Sequence, residues 1–202
     1  MVNQEKIYGF VLAGGKSRRM GEDKGLMKLG EKPLVVCAAE MLIPFVQEVR
    51  LLAPPERFQS FGFTLIPDLW PEAGPLAAVS TGLISSDAAW NIFLACDLPL
   101  VSPKLLELLV GRVHTTPLDA VVPRTEDGWQ PLAAAYHGRC RPVFEGALQK
   151  GQRSLVGLLE EIRVETITPE EMRRAGLSET EFTNINTPEE WARLTQLLEG
   201  VP

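Results

Sequence analysis

The patterning of the chain predicts an α/β fold in which helices pack against a largely parallel sheet. Short apolar, β-rich runs alternate with amphipathic stretches along the chain, the order that successive βα units produce. Residues 90–96 form a nearly continuous apolar run, suited to a central strand covered on both faces. No repeat, low-complexity tract or long charge run divides the 202 residues, so residues 1–202 are expected to form one domain, within the usual span of ~100–200 residues.

The elements follow in order. Residues 7–13 read as the first strand, and a glycine-rich loop follows from residue 14 to about residue 30. A helix is expected over residues 33–42, a second strand over 46–53 and a third over 63–67. Pro75 opens a helix running to residue 85, proline being well placed in a first helical turn. After the strand at 90–96, Ser102 and Pro103 supply a helix cap and a first helical residue. Residues 118–123 and 131–136 read as strands flanking a turn at Asp127 and Gly128. A helical region is expected from about 142 to 160, then a strand over 163–167. Thr187, with Pro188 after it and Glu190 three positions on, forms a capping box for a last helix. Glu170 and Glu171 with Arg173 and Arg174 read as a solvated helix face.

Composition removes several function classes. With 45% hydrophobic residues the chain has material for a real core, which excludes a disordered or coiled-coil chain. The formal charge is −6, against the basic face that a general nucleic-acid binder carries. The longest apolar stretches, 33–46 and 90–101, are interrupted by Glu40 and Asp97 and fall short of the ~20 residues that span a bilayer. Glu5 beside Lys6 breaks the order of a signal peptide. Cys37, Cys96 and Cys140 are too far apart for a metal-ligand motif and read as buried free thiols. A cytoplasmic protein is expected, with no membrane and no nucleic acid among its partners.

Chemistry concentrates after the first strand, in LAGGKSRRMGEDK at residues 12–24. Adjacent Gly14 and Gly15 let backbone N–H groups turn toward an anion. Residues 16–28 hold five basic and two acidic side chains, a local charge of +3 that leaves −9 for the rest of the chain. A glycine turn with concentrated cations at the C-terminal end of a strand suits a polyphosphate. It is neither a P-loop, since Met20 and Glu22 stand where that pattern needs glycine and lysine, nor GxGxxG. Asp97 follows the central strand and Asp68 the third. A carboxylate there opens into the ligand crevice of an α/β sheet and, with substrate phosphates, could hold Mg²⁺. Either aspartate could instead serve its own turn.

At these residues the chain resembles the molybdenum cofactor guanylyltransferases, within the wider nucleotidyltransferase-like fold. The likeness runs over nearly the whole chain. It rests on the segment at 12–24, GPLAA at 74–78, ACDLP at 95–99, QPLAAAY at 130–136 and NINTPEE at 184–190. The first motif is shared with several sugar and pterin nucleotidyltransferases, and its combination with NINTPEE is far more specific. The resemblance implies a three-layer αβα, Rossmann-like nucleotidyltransferase sandwich with a mixed, mostly parallel sheet. It implies transfer of GMP from GTP to the phosphate of a molybdopterin cofactor, with release of pyrophosphate and Mg²⁺ as cofactor.

Position by position, Leu12, Ala13, Gly14 and Gly15 match contacts to the guanine nucleotide, Arg19 and Lys24 the basic residues around the triphosphate, and Asp68 a nucleotide contact. Asp97 matches the magnesium ligand, and Asn184 and Asn186 the pair on the pterin side. Two departures stand out. The family's nucleotide-contacting asparagine after the second strand has no counterpart in Ala53-Pro54-Pro55, and Ala78 replaces a usual glycine. Other partners implied are a molybdopterin-delivery protein and a recipient molybdoenzyme or its chaperone, and the enzyme is expected to be a monomer.

The nearest rivals are a CTP:molybdopterin cytidylyltransferase, a sugar-phosphate guanylyltransferase and a non-catalytic nucleotide-binding regulator. LAGG rather than LAAG disfavours the first, NINTPEE the second, and retention of Lys24 and Asp97 the third. A phosphate monoester is already mostly dianionic near neutrality, with a second pKa of ~6, so the attack needs no general base. His114 and His137 are therefore read as structural. Trp70, Trp129 and Trp191 could stack a flat ring or anchor the core, Trp129 lying just ahead of QPLAAAY.

Overall fold

The computed structural model describes residues 5–14, 23–71, 73–185 and 187–199, with side chains described through residue 196. The strands are β1 (Ile7–Leu12), β2 (Lys28–Leu29), β3 (Lys32–Pro33), β4 (Glu48–Leu52), β5 (Thr64–Ile66), β6 (Trp90–Ala95), β7 (Ala120–Thr125), β8 (Gly128–Trp129), β9 (Ala133–His137) and β10 (Val164–Ile167). The helices are α1 (Leu34–Leu42), α2 (Pro55–Phe58), α3 (Pro75–Ile84), α4 (Pro103–Val113), α5 (Arg141–Gln149), α6 (Leu155–Leu158), α7 (Pro169–Arg174) and α8 (Pro188–Glu199).

The main sheet runs β10-β7-β9-β6-β1-β4-β5, with β8 added to β7. Pairings among β6, β1, β4 and β5 are parallel, as is β10 with β7, whereas β9 runs antiparallel to β6 and β7. The sheet is thus mixed and mostly parallel, as predicted. Every residue of β6 is buried, which accounts for its near-continuous apolar run.

Alternation along β1 sorts its side chains onto two faces. Ile7 and Val11 join one core with Val35, Ala39 and Leu42 of α1 and Leu105 and Leu109 of α4. Tyr8 and Phe10 join the other with Leu76, Val79 and Leu83 of α3 and Phe144 of α5. Helices therefore cover both faces, giving three layers. On the second face the Phe10 and Phe93 rings stack at 5.1 Å, and Tyr136 meets Phe93 and Phe144 edge-on. Gly82 lets α3 lie against this cluster, since a Cβ there would come within 2.5 Å of the Phe93 ring.

Four local expectations change. The helical region expected over 142–160 is broken, because Gly151 adopts φ 80° after α5. Gln152 N–H donates to Ala147 O and Gly151 N–H to Leu148 O, a Schellman ending that leaves α6 as a separate turn. Ser102 does not cap α4 with its side chain. Its hydroxyl and N–H both donate to the buried Glu181 carboxylate at 2.9 Å. Glu171 is more than a solvated residue: it closes a capping box with Thr168 and pairs with Arg112. Cys37 is only half-buried, although Cys96 and Cys140 are buried.

Thr187 and Glu190 do exchange the expected reciprocal bonds at 3.0 and 3.2 Å. Among the described residues, no helix is long and apolar enough to cross a membrane. The chain leaves β1 for β4 on one side and later returns to β6 on the other. The crevice above the C-terminal end of β1 is therefore the place where an α/β sheet takes its ligand.

Candidate active site

Three strand ends are fastened together at the floor of this crevice. Cys96 N–H donates to Leu12 O and Ala13 N–H to Leu52 O, both at 3.1 Å. These bonds carry the ladder one step past the strands and fix where Gly14, Ala53 and Asp97 emerge. Above them opens a cavity of about 830 Å³ whose lining includes Gly14, Lys24, Arg57, Asp68, Thr81 and Asp97. Residues from the ends of β1, β4, β5 and β6 all reach it.

The Lys24 ammonium lies 3.1 Å from Asp97 Oδ2, and the two side chains are only 18% and 26% exposed. Partial burial lowers the local dielectric, so these charges act more strongly on a bound anion than surface charges would. Lys24 begins a single 3₁₀ turn, Lys24–Leu26, inside what the sequence presented as an open loop. Asp23 holds that turn: Oδ1 accepts from Gly25 N–H at 3.1 Å and Oδ2 from Arg57 Nη1 at 2.8 Å. Gly25 sits close beneath, where a Cβ would come within 3.0 Å of the Phe58 ring. Asp23 and Arg57 are cavity residues that sequence reasoning passed over. Arg57 carried no local signal, since its partner is 34 residues away.

Asp68 serves its own turn and the cavity together. Its Oδ1 accepts from Trp70 N–H at 2.9 Å and from the Thr81 hydroxyl at 3.2 Å, tying the end of β5 to α3. Gly74, with φ 86°, precedes α3 and admits a turn that L-residues adopt poorly. Gly74 and Pro75 line the cavity, so the positive end of the α3 dipole opens toward it.

A second cavity, of about 360 Å³, adjoins the first, with Pro75 and Leu132 lining both. Trp129, Gln130, Arg153 and Asn184 contribute to its lining. Ile185 N–H donates to Asp97 O at 3.1 Å, which brings the NINTPEE segment against the strand end carrying the carboxylate. Arg124 lies over the Trp129 ring at 5.2 Å, and Gln130 Nε2 donates to Thr125 at 3.0 Å. Arg153 was not singled out from the sequence. Inside an uninterrupted helix it would have been one more surface cation, and the break after Gly151 sets it on the cavity instead.

Leu12, Ala13, Gly14, Lys24, Asp68 and Asp97 therefore converge on one cavity and Asn184 on its neighbour. Gly15, Arg19 and Asn186 lie outside the described residues. The histidines stand apart: His114 is exposed at the end of α4, and His137 packs edge-on against Trp90 at 5.0 Å. Burial lowers the His137 pKa and raises that of the Cys96 thiol, so neither is set up as a charged group.

A family model described as the MobA-like NTP transferase domain matches residues 9–165. The chain belongs to the MobA-like NTP transferase family. Among its relatives is a "Probable molybdenum cofactor guanylyltransferase" from Synechococcus elongatus, 33% identical over 91% of this chain and 95% of that protein. A molybdenum cofactor guanylyltransferase from Vibrio parahaemolyticus is 32% identical over 98% of this chain and 99% of its own. The crystal structure of molybdopterin-guanine dinucleotide biosynthesis protein A from Archaeoglobus fulgidus superposes with a TM-score of 0.82 at 26% identity. That match covers 95% of this chain and 98% of the other. This MobA-like chain therefore shares the three-layer nucleotidyltransferase architecture expected of it.

Proposed function

We propose that this MobA-like protein transfers GMP from GTP to the phosphate of the molybdenum-bearing molybdopterin cofactor, forming its guanine dinucleotide and releasing pyrophosphate. One observation carries the reading: two cavities of different character meet beside the strand end that bears Asp97. The larger, with Lys24, Gly14 and Asp97, suits a nucleoside triphosphate. The smaller, with Trp129, Asn184 and Arg153 in its lining, suits a flat ring system carrying a single phosphate.

In the transfer, an oxygen of the acceptor phosphate bonds to the α-phosphorus of GTP, and the bond from that phosphorus to the oxygen leading to the β-phosphorus breaks. The electron pair leaves with pyrophosphate. The difficulty is electrostatic, because one anion must approach another. Lys24, fastened by the Asp23-capped turn and by Asp97, is pre-organised to meet triphosphate charge without moving. The backbone at Gly14 and the start of α3 add N–H groups and dipole on the same side. Arg19, another basic residue of the same loop, is assigned to the same task.

The donor set suits Mg²⁺. Among the described residues no group of three or more acidic, histidine or cysteine ligands gathers, which disfavours an all-protein cage. Mg²⁺ keeps several waters and takes one or two carboxylates plus substrate phosphates. Asp97, its carboxylate opening on the cavity, is the residue that would hold it. Bound there, the ion would neutralise charge on the triphosphate and on the leaving pyrophosphate. Asn184 and Asn186 then orient the acceptor, which a delivery protein would supply and a recipient molybdoenzyme or its chaperone would draw off.

The test is pyrophosphate release with Mg²⁺ and molybdopterin, comparing GTP with CTP. Turnover with GTP and little with CTP is expected. Equal use of both, or a requirement for a sugar phosphate, would overturn the assignment.

A further inference from the structure

Among the described residues, four acidic side chains line the larger cavity: Asp23, Glu56, Asp68 and Asp97. Three are committed within the protein. Asp23 holds Gly25 and Arg57, Asp68 holds Trp70 and Thr81, and Asp97 holds Lys24. Glu56 differs, because its carboxylate has no hydrogen bond or ion pair with any described residue. It stands exposed in the first turn of α2, directly after Pro54 and Pro55.

Its place in the sheet limits what it can face. Asp97 follows β6 and Glu56 follows β4, and these strands flank β1 on opposite sides. Two strand spacings, roughly 10 Å, separate the two strand ends. The triphosphate belongs with Lys24 and Asp97, and an uncommitted carboxylate would repel it. What reaches Glu56 must be a neutral, donor-bearing part of the nucleotide. Guanine offers such an edge: N1–H and the exocyclic N2 amino group point the same way, and a carboxylate can accept from both. Adenine N1 and cytosine N3 present lone pairs at that edge, which a carboxylate repels. Pro54 and Pro55 stiffen the approach, and the Arg57–Asp23 bond ties α2 to the turn that carries Lys24. The distance from phosphate site to base edge is thereby set before the nucleotide binds.

We infer that Glu56 selects guanine in this protein by accepting hydrogen bonds from N1–H and the N2 amino group. The inference rests on the GTP reading above and names the base-reading residue of that site. The test compares wild type, Glu56→Gln and Glu56→Ala with GTP, ITP (which lacks the N2 amino group) and 2′-deoxy-GTP. Both equilibrium nucleotide binding and kcat/KM for pyrophosphate release are measured. Glu56→Gln should bind GTP about tenfold or more weakly, as expected on losing a charge-assisted pair. ITP should lose less, so the preference for GTP over ITP shrinks toward parity, while kcat at saturating GTP holds. An unchanged GTP-over-ITP preference in both variants would overturn the inference. So would a change confined to the GTP to 2′-deoxy-GTP ratio, which would place Glu56 on the ribose. A wild-type protein that turns over neither GTP nor ITP would sink the transfer reading itself, before any variant is made.

Discussion

The two cavities share Pro75 and Leu132 as a common wall, yet they are lined on different principles. The larger is rimmed by the parallel half of the sheet, where consecutive strand ends deliver charged groups side by side. Those groups come mostly pre-paired, as in Lys24 with Asp97 and Arg57 with Asp23. The smaller is rimmed by the antiparallel strand β9, the hairpin before it and the turn after α5, and offers an aromatic face and, among the described residues, one cation, Arg153. Pre-paired charge suits a polyanion whose geometry must be held rigidly through bond exchange. An apolar wall with sparse polar groups suits a ring system that is oriented by stacking and a few hydrogen bonds.

Substitutions can break or sharpen this contrast. The largest effect is expected for Asp97→Ala, a loss of about 100-fold or more in pyrophosphate release. Near-normal turnover of that variant would remove the carboxylate from the chemistry. Lys24→Ala should cost less, and the loss should fall on the rate with GTP; a change confined to acceptor binding would put Lys24 in the wrong cavity. Arg153→Ala tests the other side, with KM for molybdopterin rising about tenfold and KM for GTP unchanged. If GTP kinetics moved instead, the division of labour between the cavities would fail.

The shared wall can be loosened as a whole. Gly82→Ala should push α3 off Phe93 and cost about 1–3 kcal/mol of stability. Thermal unfolding should register the cost, with both substrates affected together. The smallest effect concerns acid. The Arg163 guanidinium, aided by Arg139, holds the Asp119 carboxyl down from its ordinary 3.8 to about 2. A depressed carboxylate stabilises the fold above its unfolded pKa, and that contribution is lost as pH falls from about 4 toward 2. Acid titration of Asp119→Asn should lack this component; an unchanged acid midpoint would show that the pair carries no stability.

Much of this arrangement is legible along the chain because it is local. Strands β1 and β6 announce themselves by buried runs, and the Thr187–Glu190 box by its spacing. Asp97 and the glycine loop follow strands that the patterning already places. Other features are not local. Thr168-Pro169-Glu170-Glu171 repeats the chemistry of the last helix cap, yet beside the arginines that follow, the two glutamates look like a solvated face. Ser102 looks like a cap until Glu181, 79 residues on, takes its hydroxyl. Arg57 and Arg153 look like ordinary surface cations until a distant aspartate and a broken helix turn them toward cavities.

By itself the sequence determined the alternation of strands and helices, the largely parallel character of the sheet and the place of the glycine-rich basic segment after β1, since periodicity, caps and turn residues act over a few positions. It also resolved the −6 charge into a basic loop within an acidic body. Only the tertiary structure decided how those acids are used. Among the described residues, three of the four acidic residues at the larger cavity have partners 2 to 73 residues away, and Glu56 has none. Pairing of that kind depends on which strand ends lie side by side, and strand order is fixed by packing across the whole sheet rather than by any one segment.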